Sequence, residues 1–139
     1  MGGAGYAAIV REIFDRVWNR GDFDGLDSRL VERVVFHYRR STRTLEPDDL
    51  AALVTAWREA FPDLRFSIED LVEDGDRVAA RLTHSGTHRG RFRGVEPTGR
   101  RIEVDAMFFF RFEGGRLAEV WEVEDEHAMW QQLGTAHPG

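Results

Sequence analysis

The chain has 139 residues, 42% hydrophobic, 12% aromatic and 32% charged, with no cysteine. Its 19 basic side chains are all arginine and face 25 Asp plus Glu, for a formal net charge of −6. Without Cys there is no disulfide, thiol nucleophile or Cys-ligated zinc or iron–sulfur site. Without Lys there is no Schiff base, pyridoxal-phosphate anchor or Walker-type phosphate loop. The acidic balance argues against a nucleic-acid partner. No apolar run approaches the roughly 20 residues that cross a bilayer, and Met1-Gly2-Gly3-Ala4 lacks the charged start of a signal peptide. The expectation is a soluble cytoplasmic protein of one domain, residues 1–139, with no membrane partner and a core of its own.

Tyr6, Ile9, Val10, Ile13, Phe14, Val17 and Trp18 recur at three- and four-residue intervals and predict an amphipathic helix. Gly21 stands at its C-cap. A second short helix fits Asp24 to Leu30. The β-branched and aromatic run Val34-Val35-Phe36-His37-Tyr38 reads as a strand, and Arg39 to Glu46 as a loop. Pro47 with Asp48 and Asp49 starts a helix whose inner face carries Leu50, Leu53, Val54, Trp57 and Phe61. Strands follow at Leu64 to Glu73 and Arg77 to Thr87 around an Asp74-Gly75 turn. Ile102 to Phe112 and Arg116 to Val123 form a second hairpin about Gly114-Gly115, and Glu126 to Leu133 a closing helix. Helices first, then antiparallel hairpins, give an α+β fold.

A two-residue turn at Gly114-Gly115 pairs Glu113 with Arg116 and fixes the faces of that hairpin. Counted straight through, one face carries Val104, Ala106, Phe108, Phe110, Phe112, Leu117, Glu119, Trp121 and Val123. Glu119 is its only charge. An acid on such a face is either a general base or acid with a raised pKa, or the structural partner of an arginine. The opposite face mixes Met107, Phe109 and Val120 with Asp105, Arg111, Glu122 and Glu124, which suits a homodimer interface.

Of five histidines, His37 is the best catalytic candidate because its strand must enter the core. His84 and His88 are too far apart along a strand, about 13 Å, to share a metal, so no metal site is expected. His127 and His137 fit a solvated C-terminal region. Arg89, Arg91, Arg93, Arg100 and Arg101, with Phe92 among them, are open to two readings. They could contact an anionic ligand or a phosphopantetheine arm, or simply form a solvated hairpin edge.

The stretch Gly86-Thr87-His88-Arg89-Gly90, then Gly94 to Arg101, then Phe110-Arg111-Phe112-Glu113-Gly114-Gly115-Arg116-Leu117-Ala118-Glu119-Val120-Trp121 resembles the SnoaL-like polyketide cyclases. Val17-Trp18-Asn19-Arg20-Gly21-Asp22, Phe61-Pro62-Asp63 and Gln132-Leu133-Gly134 fit the same pattern. The resemblance implies a cone-shaped α+β barrel of the nuclear-transport-factor-2 type, a curved antiparallel sheet wrapped over helices around one pocket. It also implies ring closure by intramolecular aldol condensation through an acid/base carboxylate, without cofactor, on a hydrophobic, polyketide-like small molecule. Glu119, Glu122 and Asp125 are rivals for that carboxylate. Glu119 is preferred for its face and Asp125 follows it, with His37 and Tyr38 orienting substrate or shuttling protons. Measured against the related ketosteroid isomerases, the three acid/base positions fall on Phe14, near Tyr38 and on Phe108, so that mechanism looks absent. The expected pocket wall is Phe14, Trp18, Trp57, Phe61, His84, Phe108, Phe110 and Trp121. The alternative is a non-catalytic binding or accessory protein using the same pocket.

Overall fold

The computed structural model describes residues 5–136; Met1-Gly2-Gly3-Ala4 and His137 lie outside them. Helix α1 (Gly5–Glu12) runs directly into a π-helical segment, Ile13–Trp18, whose wider turns bury Ile13, Phe14, Val17 and Trp18. Gly21, at φ 64°, ends it: the Gly21 and Asp22 amides donate back to Val17 and Arg16 carbonyls, a left-handed cap that glycine takes without Cβ strain. Asn19 then ties this helix to the sheet, donating to Phe66 O at 2.9 Å and accepting from Phe66 N at 2.6 Å. Short α2 (Leu26–Arg29) leads into β1 (Leu30–Tyr38).

The expected loop at residues 39–46 is instead mostly strand β2 (Ser41–Leu45), antiparallel to β1 with Tyr38 opposite Ser41. Its two-residue turn holds Arg39 and Arg40 at φ 55° and 64°. Both central residues of such a tight hairpin need positive φ, and arginine carries no sequence signal for it. Helix α3 (Pro47–Ala60) starts with Pro at its first turn and a reciprocal capping box between Glu46 and Asp49. Strands β3 (Arg65–Asp74) and β4 (Arg77–Thr87) turn at residues 75–76, one place later than expected. Strands β5 (Arg101–Glu113) and β6 (Arg116–Glu124) complete the sheet. Helix α4 (Glu126–Leu133) is capped by Asp125, which accepts from Ala128 N, and stopped by Gly134.

The six strands lie in the order β2-β1-β6-β5-β4-β3. Four neighbouring pairs are antiparallel, while β1 and β6 run parallel, so the sheet is mixed. This is the expected α+β cone, a curved sheet whose concave face closes over the helices. Val78, Leu82, Val104, Phe108, Phe110 and Phe112 from that face pack with Val10, Phe14, Val54, Phe61 and Trp130 from the helices in one apolar cluster. Among the described residues no helix is long and apolar enough to cross a membrane.

The β5–β6 register departs from simple counting. Glu113 faces Arg116 and Phe112 faces Leu117, but Arg111 then faces Glu119. Ala118 is the extra residue of a β-bulge, which reverses inside and outside for the rest of β6. Leu117 and Ala118 are accordingly both buried although adjacent. Beyond the bulge Val120, Glu122 and Glu124 oppose Phe110, Phe108 and Ala106 on the inner face, and Glu119, Trp121 and Val123 oppose Arg111, Phe109 and Met107 on the outer one.

Candidate functional site

A cavity of about 480 Å³ opens between the inner sheet face, the first helix and α3. That volume falls within the ordinary range of small-molecule sites. Trp18, Leu53, Trp57, Phe66, Phe92 and Phe108 give it flat apolar walls, and Phe36, Tyr38, His84, Glu122 and Glu124 close the other side. Arg58 steadies the tryptophan at the helix end by donating to Trp18 O at 3.0 Å and Asn19 O at 2.8 Å. A small apolar void of about 30 Å³ lies deeper, against Phe14 and Phe110.

Trp18, Trp57, His84, Phe108 and Tyr38 thus line the cavity, and Phe14 and Phe110 lie in the layer beneath it. Phe61 sits behind the wall, against Trp57 and Phe92. The bulge carries Glu119 and Trp121 to the outer face. There His37 stacks on Trp121 with centroids 5.0 Å apart. His37 Nε2 lies 2.6 Å from Glu119 Oε2, and Arg111 donates to the other Glu119 oxygen at 3.0 Å. The His37 bond holds Glu119 below the usual carboxylate range; partial burial opposes this and Arg111 adds to it. Glu119 is therefore the arginine-paired acid that the sequence left as one of two readings. Asp125 is exposed and occupied as the cap of α4. His88 is buried against Phe61, with Nδ1 accepting from Thr98 N at 3.1 Å, and His127 is exposed.

Glu122 and Glu124 take the inward positions. The Glu124 side chain is 1% exposed; its Oε1 lies 2.9 Å from His84 Nε2, and its Oε2 accepts from Tyr38 Oη. Because an ionised carboxylate only accepts, His84 donates through Nε2. Burial works against the charge on Glu124, but the His84 and Tyr38 bonds outweigh it and hold its pKa below the ordinary value. Tyr38 is pushed up by burial and by the Glu124 charge. Arg93 closes the arrangement, donating to Tyr38 Oη at 2.9 Å and to Glu126 at 3.0 Å over the Phe92 ring.

Glu122 differs. Among the described residues no donor bonds its carboxyl, which faces the cavity, and removal from water together with the Glu124 charge raises its pKa well above the ordinary value. Two acids two residues apart are thereby driven in opposite directions. That is the pattern by which a fold separates a proton carrier from a fixed charge. Among the described residues no three His, Asp or Glu converge as a metal site would require. Sequence reasoning placed Glu122 and Glu124 outside; the paired burial of Leu117 and Ala118 marks the cause, and two successive apolar residues in an alternating strand were its one visible trace.

Residues 8–133 match the SnoaL-like polyketide cyclase family. The aklanonic acid methyl ester cyclase DnrD of Streptomyces peucetius is 30% identical over 93 residues, covering 66% of this chain and 64% of that protein. The chain thus spans less than two thirds of that relative's length in the match. A SnoaL-like polyketide cyclase from Agrobacterium tumefaciens is 30% identical with a TM-score of 0.76, covering 92% of this chain and 97% of its own. AclR, a candidate hydroxylase from Streptomyces galilaeus, is 30% identical with a TM-score of 0.78, covering 92% and 80%. With nearly the whole chain matched by the family and the fold shared with its members, this protein belongs to the SnoaL-like polyketide cyclases.

Proposed function

We propose that this protein is a cofactor-free acid–base catalyst that closes a ring by intramolecular aldol addition in a hydrophobic, polycyclic, polyketide-like small molecule. The observation that carries the reading is Glu122, an acid free of hydrogen-bond donors among the described residues, raised in pKa and set in an aromatic cavity. A raised pKa makes its ionised form a stronger base. Glu122 would take a proton from a carbon flanked by carbonyls. The resulting enolate would attack a ketone within the same molecule, forming the carbon–carbon bond, and Glu122 would return its proton to the new alkoxide. Atoms balance without any co-reactant. Glu124 contributes the fixed charge beside Glu122, while Arg93, itself oriented by Tyr38, offers a remaining N–H to the attacked carbonyl. The flat walls of Trp57, Phe92 and Phe108 suit stacking of a planar ring system.

The test is turnover of aklanonic acid methyl ester and its free acid by wild type, Glu122→Gln and Glu124→Gln. Loss on the order of 10²–10⁴-fold for Glu122→Gln fits a proton carrier; full turnover by Glu122→Gln would reject it. A binding-only role is favoured by one observation, that both Glu124 oxygens are already engaged by His84 and Tyr38. It predicts saturable binding with no product.

The same reading places the protein in the cytoplasm as a homodimer through the outer sheet face. Val72, Met107, Phe109 and Val123 stand exposed there, a contiguous apolar patch of the kind that marks an interface.

A further inference from the structure

The chain is acidic overall, yet the mouth of the cavity is basic: Arg39, Arg43, Arg91 and Arg93 all line it. Two carboxylates answer them. Glu126 is shared between Arg39 and Arg93 at 3.0 Å each, and Glu96 meets Arg91 at 3.2 Å in open solvent. Arg43 has no ion pair or side-chain hydrogen bond among the described residues. Its placement is fixed by register. Arg43 stands opposite Phe36 across the β1–β2 ladder, on the cavity face, while the next pair, His37 and Thr42, faces outward.

The backbone adds an independent sign. Among the described residues only three other than glycine have positive φ, and all are arginines: Arg39 at 55°, Arg40 at 64° and Arg93 at 48°. Glycine or asparagine takes that conformation more cheaply. The turn sets the backbone at Arg39 and Arg40 but requires no guanidinium, and residues held in such conformations cluster at functional sites. Two of these strained arginines line the cavity itself, and Arg40 borders the groove beside it.

We propose that the mouth is an anion site and that the substrate carries a carboxylate on the rim of its planar body. This rests on the cavity being the substrate site, as in the preceding subsection. The ring system lies against Trp57 and Phe92; the carboxylate meets Arg43, whose planar fork can grip both oxygens, with Arg39 beside it. The preferred substrate is then the free acid, in contrast to the methyl ester in the name of DnrD.

The experiment is quenching of intrinsic tryptophan fluorescence, since Trp18 and Trp57 line the cavity. The probes are anthraquinone-2-carboxylate, its methyl ester and coenzyme A, titrated into wild type and Arg43→Gln at pH 7. For a charge-assisted contact the acid is expected to bind about tenfold more tightly than the ester to wild type, an advantage that shrinks as salt rises. Arg43→Gln is expected to weaken the acid by about tenfold, the scale of one charge-assisted bond, and to leave the ester unchanged, which also shows the variant is folded. Equal binding of acid and ester, or an Arg43→Gln variant that keeps the preference, overturns the anion site alone. Arg43-dependent binding of coenzyme A without preference for acid over ester overturns it in favour of a carrier arm. If no probe binds either protein, the cavity reading falls and this one with it.

Discussion

His37 Nε2 and Glu119 Oε2 lie 2.6 Å apart on the face of the sheet turned away from the cavity. Both residue types belong to acid–base chemistry, yet here they form a bridge between neighbouring parallel strands. Glu119→Gln is therefore expected to leave cavity binding and turnover intact and to cost about 1 kcal/mol of stability or less, as for a partly exposed pair. The sign follows from its lowered pKa. The ionised form is stabilising above the carboxylate range of the unfolded chain, and that gain is lost as pH falls through the lower folded value. Denaturation of the two proteins should differ most near neutrality and converge in acid. A large loss of turnover would return Glu119 to the reacting set.

Glu122 should behave in the opposite sense. Its pKa is raised in the folded state, so folding favours the protonated form. The charged form becomes a cost once pH exceeds the unfolded carboxylate value, and the cost grows until the folded value is passed. Glu122→Gln is expected to raise Tm at pH 8 and to lose that advantage near pH 4, while turnover falls. Stability gained where activity is lost is the trade expected of a catalytic group. A variant less stable at pH 8 would contradict the raised pKa. The wild-type kcat/KM should also rise with pH through a value above the ordinary carboxyl range, since the ionised base is the active form.

Gly90 holds the arginine-bearing loop against α3. The Arg89 and Gly90 amides both donate to Ala60 O, and a Cβ on Gly90 would lie 2.3 Å from Glu59 O. That neighbour is backbone and cannot step aside. Gly90→Ala is expected to destabilise by about 1–3 kcal/mol, the usual cost of overpacking. Chemical denaturation measures this, and a change below a few tenths would show that the loop is not seated on the helix.

The outer patch makes a prediction about mass. Val123, the most exposed of its large apolar residues at 73%, replaced by Arg, is expected to convert a dimer into a monomer in light scattering without altering the cavity. A monomeric wild type would remove the proposal.

Most of the architecture was legible because it rests on local patterns. The alternation in β5 is complete from Ile102 to Phe112, and its inner residues are all buried as periodicity requires. The helix ends at Gly21 and Gly134 were visible because glycine takes the left-handed cap that ends a helix without Cβ strain. The π-helical stretch was not, since six residues of altered hydrogen bonding leave the apolar spacing nearly unchanged. Nor was β2, an edge strand with four exposed residues and no apolar face to betray it. The site suffered most, because it depends on which side of β6 an acid falls, and one extra residue at Ala118 decides that.

The bulge sets parity without changing chemistry. Were it to close with Ala118 itself opposite Arg111, the rest of β6 would slide one place, returning Trp121 and Val123 to the interior and sending Glu122 and Glu124 into solvent. The cavity would keep an aromatic lining and lose its acids. Excising Ala118 has no such effect, because Glu119 would then follow Leu117 and still face Arg111. A slip of one place, rather than the loss of a codon, separates a proton-moving pocket from a container, with no substitution at any residue that meets the ligand.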